Sequence, residues 1–309
     1  MFNKSSVFFL LAETSLHAGS GVDVGYVDLP IQRNKANNFP IIQPSEVKGS
    51  IREFFEKKGE DTAKINEVFG PENGAEFASA VSFSEARVLF FPVKSLYGVF
   101  SYITCPLVLN QFLKDAEIKI PEDEANNFLF NQIGDGNILI INDSIIKFED
   151  EVILNDYPFK VSENTSIPRI EINGERKDVF EYLKEKLFPS DAGYSYWKDN
   201  FIKRASIVSD NTFTIITEIA TEIITRNKIG EGGVVGGKGG GLWNEENLPQ
   251  ETILYSIVYA SKPYKSGKTN FEDSDAVLNF IKEGINNKRI RIGGHKTIGR
   301  GFVYIRFLE

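Results

Sequence analysis

The run GEGGVVGGKGGG (230–241) holds eight glycines in twelve residues, and no other feature constrains the fold of this chain more. Glycine loses the most backbone freedom on ordering and brings no side chain to pack, so such a run builds neither a helix nor a buried strand. TFTIITEIATEIITR (212–226), β-branched throughout, precedes it, and the strand-like ETILYSIVYA (251–260) follows. Between β-rich arms the run reads as the flexible tip of a long hairpin. A Walker loop would need Gly-Lys-Ser/Thr opening a helix. A dinucleotide fingerprint would need a strand before, a helix after and an acid further on. Glycine-rich chain is also ordinary linker material. Against that, Arg226 and Lys228 enter the run, Lys238 lies inside it and Trp243 leaves it. Cations beside an aromatic can hold phosphates and stack on bases.

At 309 residues the chain can bury a sizeable core. VFFLLA (7–12) is too short for a signal core or a membrane span, and cytoplasmic residence is expected. Its single cysteine, Cys105, excludes an internal disulfide and a cysteine-built zinc site. The net charge of −8 argues at first sight against nucleic acid. The distribution matters more. Residues 61–196 carry 12 basic and 23 acidic groups, whereas residues 262–309 carry 10 and 5, a net of +5. An acidic protein can thus own a local basic surface, although the same excess could be a solvated face.

Residues 6–18 read as strand, turning near Gly19. EVKGSIREFFEKKG (46–59) fits an amphipathic helix with Val47, Ile51, Phe54 and Phe55 on one face, and Ser45 reads as its N-cap behind Pro44. Lys48 and Arg52 share another face near the helix start, where peptide N–H groups favour anions. Residues 80–93 read as one or two strands ended by Pro92, and a helix follows Pro106. Residues 115–195 look like an acidic insertion with a hairpin over 138–153 and a helix over 179–188. After 212 come strand, glycine run and strand, then a helix over 273–286 and strand, loop and strand over 289–307. That order predicts an α+β fold with helices on one face of the sheet, as in ferredoxin-like or RNA-recognition-motif folds.

GYVDLPIQR (25–33) sets one acid, Asp28, beside Pro30, Gln32 and Arg33. An acid among anion-gripping groups, without a Ser–His or Cys–His partnership, points to phosphodiester chemistry. Cleaving RNA requires deprotonation of a 2′-hydroxyl and stabilisation of charge on an in-line phosphate. A carboxylate can take the proton or hold a divalent ion that assists. His17 could act as acid or base, or be a satisfied structural histidine. Glu245 and Glu246 could complete a metal site or simply be solvated. IGGHKTIGRGF (292–302) is a second glycine loop, where backbone N–H groups, Lys296 and Arg300 could meet a ligand or merely form a tight turn.

LHAGSG (16–21), GYVDLPIQR, PSEVKGSIR (44–52), FFPVKSLYGVFSYITCP (90–106), GGGLWNEENLP (239–249) and GGHKTIGRG (293–301) together resemble a known family. It is the repeated backbone RAMP subunit of the type III-B CRISPR (Cmr) effector. The similarity runs in order from residue 16 to 301 and thins over 115–195.

The resemblance implies a single RAMP domain over 1–309, with the insertion at 115–195 and a thumb hairpin over 217–247. It implies a subunit that binds crRNA, stacks with copies of itself and other Cmr-complex subunits, and cuts complementary target RNA at regular intervals. Asp28 aligns with the family's catalytic aspartate, in a reaction that uses Mg²⁺ or another divalent cation bound with the RNA. His17 and Glu246 fall near positions of catalytic helpers. RNA contacts are expected from Ser20, Arg33, Ser45, Lys48, Gly49 and Arg52, from Arg226, Lys238 and Trp243 in the thumb, and from Gly293, Gly294, Lys296 and Arg300. Two rival readings stay open. One is a scaffold subunit that binds crRNA without cutting. The other is a metal-independent RAMP endonuclease that processes precursor crRNA through histidine chemistry.

Overall fold

A computed structural model describes residues 2–22, 25–72, 74, 76–124, 133–162, 166–231, 235 and 240–309. Strand β1 (Lys4–Ala12) is the spine of the fold, with Phe8, Phe9 and Leu10 fully buried. Consecutive residues can all be buried only when both faces of a strand are covered. The chain continues through the short β2 (Ile41–Ile42) into α1 (Pro44–Lys57) and α2 (Thr62–Phe69), then β3 (Val81–Phe83) and β4 (Ala86–Lys94). Next come β5 (Phe100–Thr104) and α3 (Pro106–Asp115), the latter started by its proline.

The 115–195 segment contributes β6 (Asn137–Ile140), β7 (Glu151–Leu154), β8 (Tyr157–Val161), β9 (Arg169–Ile172), β10 (Glu175–Asp178) and α4 (Val179–Leu187). It leads into α5 (Ser195–Arg204), β11 (Ala205–Val208) and α6 (Asp210–Ile219). The hairpin β12 (Glu222–Lys228) and β13 (Gly241–Asn247) precedes β14 (Ile253–Ala260), α7 (Ser274–Ile285), β15 (Lys288–Arg291) and β16 (Phe302–Phe307).

The main sheet has the order β15-β16-β1-β14-β4-β5-β11-β6-β8-β7, with β2 and β3 attached to β4 and β14. β1 is antiparallel to both β14 and β16. Side chains alternate faces along β1. Phe8 meets Phe307, whose ring lies under Lys282 of α7, whereas Phe9 meets Phe112 of α3. Helices therefore cover both faces. The α+β class stands as expected, and the one-sided arrangement does not. Aromatic density explains the second cover, because Phe90 and Tyr102 also need partners and find Phe201 of α5. Fully burying each such ring contributes about 2–3 kcal/mol.

Local expectations fail at four places. Helix α1 begins at Pro44 with Gln43 as its N-cap, so Ser45 lies inside the first turn; proline's fixed φ suits the first helical position. β4 runs through Pro92 to Lys94. β14 pairs with β4 only as far as Phe90, so beyond it the strand is an edge on that side, where a missing N–H costs no ladder bond.

The hairpin placed over 138–153 is instead β7–β8, turned by Asn155 and Asp156 at φ 45 and 72. Such a pair of positive angles suits a two-residue turn. β6 pairs with β8 and β11, and the insertion thereby extends the core sheet. Finally, the β-branched stretch after 212 begins as helix α6. Ser209 caps it by accepting from the Thr212 N–H at 3.1 Å, and Phe213, Ile216 and Thr217 fall on one buried face. The hairpin arms start at Glu222.

One close approach fixes the packing of α1 on α7. A Cβ at Gly284 would lie 2.1 Å from Cζ of Phe55, whose ring stacks on Phe280 with centroids 4.8 Å apart. Only glycine lets the ring cross α7 there.

Candidate active site

Three stretches meet at the foot of the β12–β13 hairpin: the loop over 16–33, the end of β13, and the glycine loop over 292–301. Residues 28–31 run alongside β13. The Leu29 N–H donates to the Asn244 carbonyl at 3.1 Å and the Glu246 N–H to the Leu29 carbonyl at 3.0 Å. The same loop is closed on itself, with Ser20 N–H on the Pro30 carbonyl at 3.0 Å and Gln32 N–H on Ala18 at 2.8 Å. Asp28 thus sits on a held backbone. Its Oδ2 accepts from the Asn244 N–H at 2.7 Å, and the side chain faces solvent.

Glu246 is turned inward. Its Oε2 accepts from the Ile31 N–H at 3.0 Å, and its Oε1 accepts from Arg33 Nη2 at 2.7 Å and Thr221 Oγ1 at 2.9 Å. Arg33 reaches on to the Thr217 carbonyl at 3.1 Å and the Asn38 carbonyl at 3.0 Å. The pair bolts the Asp28 loop to the thumb and to the end of α6. Arg33 is therefore engaged inside the protein rather than free for phosphate.

Glu245 points to the other side of the strand and is completely buried. It accepts from Arg226 at 3.2 Å and from Arg300, and Nε2 of His295 lies 3.2 Å from it. A guanidinium only donates, so Nδ1 of His295 accepts from Arg226 at 3.1 Å and a neutral ring carries its hydrogen on Nε2. The neutral ring fits both contacts, and burial, then the charges of His17 and Arg226, lower the His295 pKa. Arg226 and Arg300 thus converge on one buried carboxylate at the base of the hairpin, with the charge of Glu222 also acting on Arg300.

His17 is buried, 6% exposed, with Nδ1 2.7 Å from the Glu246 carbonyl. A carbonyl only accepts, so Nδ1 carries the hydrogen. The Gly294 N–H in turn donates to the His17 carbonyl at 2.9 Å. Gly293, at φ 90, presses so close that a Cβ would lie 2.6 Å from that carbonyl. These glycines therefore seat the loop against His17, and the Gly294 N–H is already used.

On the α1 side, Gln32 Oε1 accepts from the Gln43 N–H at 2.6 Å, and Gln32 Nε2 donates to Glu46 at 2.8 Å and to the Gly19 carbonyl at 2.9 Å. Burial raises the pKa of Glu46, against the opposing pull of Gln32, His17 and Lys296. Ser45 and Gly49 are exposed, and a Cβ at Gly49 would meet nothing. Lys48 is half-buried beside them, makes no ion pair among the described residues, and has its pKa lowered by burial and by Arg52. Arg52 is committed to α2, donating to the Gly70 carbonyl at 2.6 Å and to Asn66 at 3.2 Å. Lys296 pairs with Glu53, which lowers the Glu53 pKa.

Ser20 is exposed, and its Oγ donates to the Pro30 carbonyl at 3.2 Å. Trp243 is half-buried with Arg226 over its ring at 5.6 Å, and its indole N–H is buried without a partner among the described residues. Lys238 lies outside the described residues.

Asp28, His17, Glu245, Glu246, Arg226, Arg300 and Lys296 are thus brought to one place, and Ser45, Lys48 and Gly49 line the adjoining start of α1. Asn244 and His295 were not singled out in advance. Asn244 contributes through its main chain, which no residue type signals. His295 stands in the glycine loop, where its ring is read only once Glu245 is known to face it. Among the described residues no group of three or more His, Cys, Asp or Glu side chains could hold a metal by itself. No helix there is long and apolar enough to cross a membrane.

The RAMP superfamily matches residues 9–304. The CRISPR system Cmr endoribonuclease Cmr4 of Pyrococcus furiosus is 33% identical over 99% of this chain and 96% of its own length. The CRISPR system CMR subunit Cmr4 of Saccharolobus solfataricus is 24% identical over 98% of this chain and 96% of its own. A crystal structure of oligomeric Cmr4 from Pyrococcus furiosus superposes with a TM-score of 0.69 at 26% identity, covering 99% of this chain and 98% of that one.

Proposed function

The chain belongs to the RAMP superfamily and within it to the family of the Cmr4 endoribonuclease, and on that premise we propose that it is the repeated crRNA-binding backbone subunit of a cytoplasmic type III-B Cmr effector. Copies stack along the guide, and each cuts complementary target RNA with Asp28. The observation that carries this reading is the position of Asp28. Its exposed carboxylate is tied by the Asn244 N–H at 2.7 Å to a thumb whose base gathers Arg226 and Arg300. A general base must be fixed near its proton, and the phosphate it works beside must have its charge met. The oligomeric form of the Pyrococcus relative supports stacking.

Asp28 takes the proton from the target 2′-hydroxyl, whose oxygen attacks the adjacent phosphorus. The P–O5′ bond breaks and the departing O5′ takes a proton from water, leaving a 2′,3′-cyclic phosphate and a 5′-hydroxyl on the departing strand. Glu246 does not reach the RNA; it holds Arg33 and the Ile31 N–H, and so sets the height of the Asp28 loop. His17 supports the same loop through the Glu246 carbonyl. Ser45, Lys48 and Gly49 give the guide backbone an open, cationic helix start. Guide pairing reads sequence, so the protein needs to grip only backbone and shape.

A divalent cation fits here only together with RNA. Asp28 offers a carboxylate with one oxygen on Asn244, and Mg²⁺ is commonly held by one or two carboxylates plus phosphate oxygens and water. When bound, such an ion would offset charge on the phosphate and ease loss of the 2′-hydroxyl proton. The burial of His17, which leaves its ring 6% exposed, counts against processing of precursor crRNA by acid–base chemistry at that histidine.

The test assembles the complex on crRNA with Asp28→Ala protein and offers end-labelled complementary RNA. Normal assembly with loss of the periodic cuts is expected. Cutting unchanged in rate and spacing would remove Asp28 from the mechanism.

A further inference from the structure

A cavity of about 340 Å³ opens on the face of the sheet covered by α5 and shares no residue with the Asp28 cluster. Tyr194, Trp197, Phe188 and Tyr304 stand around it, and Leu11 and Ile253 line its apolar part. Tyr194 and Tyr304 face one another with centroids 6.1 Å apart. Trp197 is 40% exposed, too much for a ring that serves only the core.

The charged lining residues are Glu13, Glu251 and Arg289. Nε of Arg289 donates to Glu13 at 2.7 Å, and its guanidinium lies over the Tyr304 ring at 5.6 Å. That pair neutralises itself. Glu251 has no such cation among the described residues. Its Oε2 accepts from the hydroxyl of buried Tyr102 at 2.7 Å, and its Oε1 has only a 3.5 Å contact from Gln250. It is also held at φ 72, a left-handed conformation that a glutamate adopts at a cost of about 1 kcal/mol. The cavity therefore combines aromatic walls with one unpaired negative charge at its edge. A phosphate-bearing ligand would meet that charge unfavourably. A planar cation would stack on the rings and pair with the carboxylate.

We propose that this cavity is a subsite for a guanidinium group, carried by an arginine side chain of an adjoining polypeptide. The Arg289–Tyr304–Glu13 arrangement on one wall already realises the same chemistry within the chain. A fork of two N–H donors suits Glu251 better than the single ammonium of lysine does.

The test uses full-length protein with Trp243→Phe, which leaves Trp197 as the sole tryptophan reporter. Its fluorescence is titrated with N-acetyl-arginine amide, N-acetyl-lysine amide, agmatine and AMP. Saturable change with both guanidinium probes is expected, at a Kd of about 1–20 mM, as befits one side chain out of its interface. The lysine probe should bind at least about threefold more weakly. Glu251→Gln, which keeps an acceptor for Tyr102, should weaken the arginine probe about tenfold. Tyr194→Leu should weaken it as well, and serves if the first variant does not fold by circular dichroism. Micromolar binding of agmatine would assign the cavity to a free metabolite and overturn the polypeptide source. Saturation by AMP instead of arginine, no saturable change, or undiminished binding in either folded variant would overturn the proposal itself.

Discussion

The main-chain N–H of Asn244 donates to Oδ2 of Asp28 at 2.7 Å across 216 positions of sequence. The β12–β13 hairpin and the Asp28 loop are therefore one mechanical unit, and movement of the hairpin relocates the carboxylate. Asp28→Asn keeps an oxygen for this bond and loses only the charge. It is expected to leave guide binding intact while slowing cutting about 10²–10⁴-fold, the usual worth of a positioned acid–base group. Single-turnover cleavage on preassembled complex measures it. EDTA should reproduce the loss without releasing the guide, and Mg²⁺ should restore it.

Glu246 and Arg33 form the more deeply buried joint of that unit. Removing one partner leaves an uncompensated charge, which in buried pairs costs about 3–5 kcal/mol. Glu246→Ala should lower stability to chemical denaturation by an amount near the lower end. It should slow cutting through a displaced Asp28, with little change in RNA affinity. The double variant Arg33→Met/Glu246→Leu should recover much of the stability and little of the rate. A Glu246 that itself moved protons would instead show lost rate with unchanged stability.

Strand periodicity explains why this site was only half legible. Glu245 and Glu246 are adjacent in β13, so their side chains leave opposite faces. One meets Arg226, Arg300 and His295, the other Arg33 and Thr221. Both were read together as solvated or metal-binding, because neither set of partners lies nearby in sequence. Asp28 stood out through its Pro-flanked block, while its anchor is a main-chain N–H with no residue signature. The spine strand β1, helices α1 and α7 and the loop between β15 and β16 were legible because apolar spacing and glycine are local signals. Helix α6 was misread because β-branched residues dominate it, and only Ser209 and the spacing of Phe213 and Ile216 betray it. Pairing of β6 with β8 and β11 is non-local, and no local pattern reports it.

At Gly284 an ordinarily stabilising change should do harm. Glycine inside a helix usually costs about 1 kcal/mol relative to alanine. Here the added methyl would meet Phe55 Cζ at 2.1 Å, so Gly284→Ala should destabilise by about 1–3 kcal/mol. Urea titration reads this as a lower midpoint with an unchanged slope. Phe55→Leu in the Gly284→Ala background should return part of the loss, because the smaller side chain makes room.

Glu46 gives the fold a signed dependence on pH. Burial raises its pKa in the folded protein, with the Gln32 hydrogen bond and the charges of His17 and Lys296 pulling the other way. Between the ordinary glutamate value, about 4.3, and the higher folded value, the native state binds more protons than the unfolded chain. Stability from this group is thus fully present below that window, falls as pH rises through it, and stays at its lower level above it. Glu46→Gln carries no charge at any pH and can still accept from Gln32 Nε2. The variant should be more stable than the wild type at pH 7–8, and the two should converge as pH drops below about 4. Denaturation midpoints collected from pH 3.5 to 8 trace the difference. A constant gap, or a less stable variant at neutral pH, would show that the attractions of Gln32, His17 and Lys296 outweigh the cost of burying the charge.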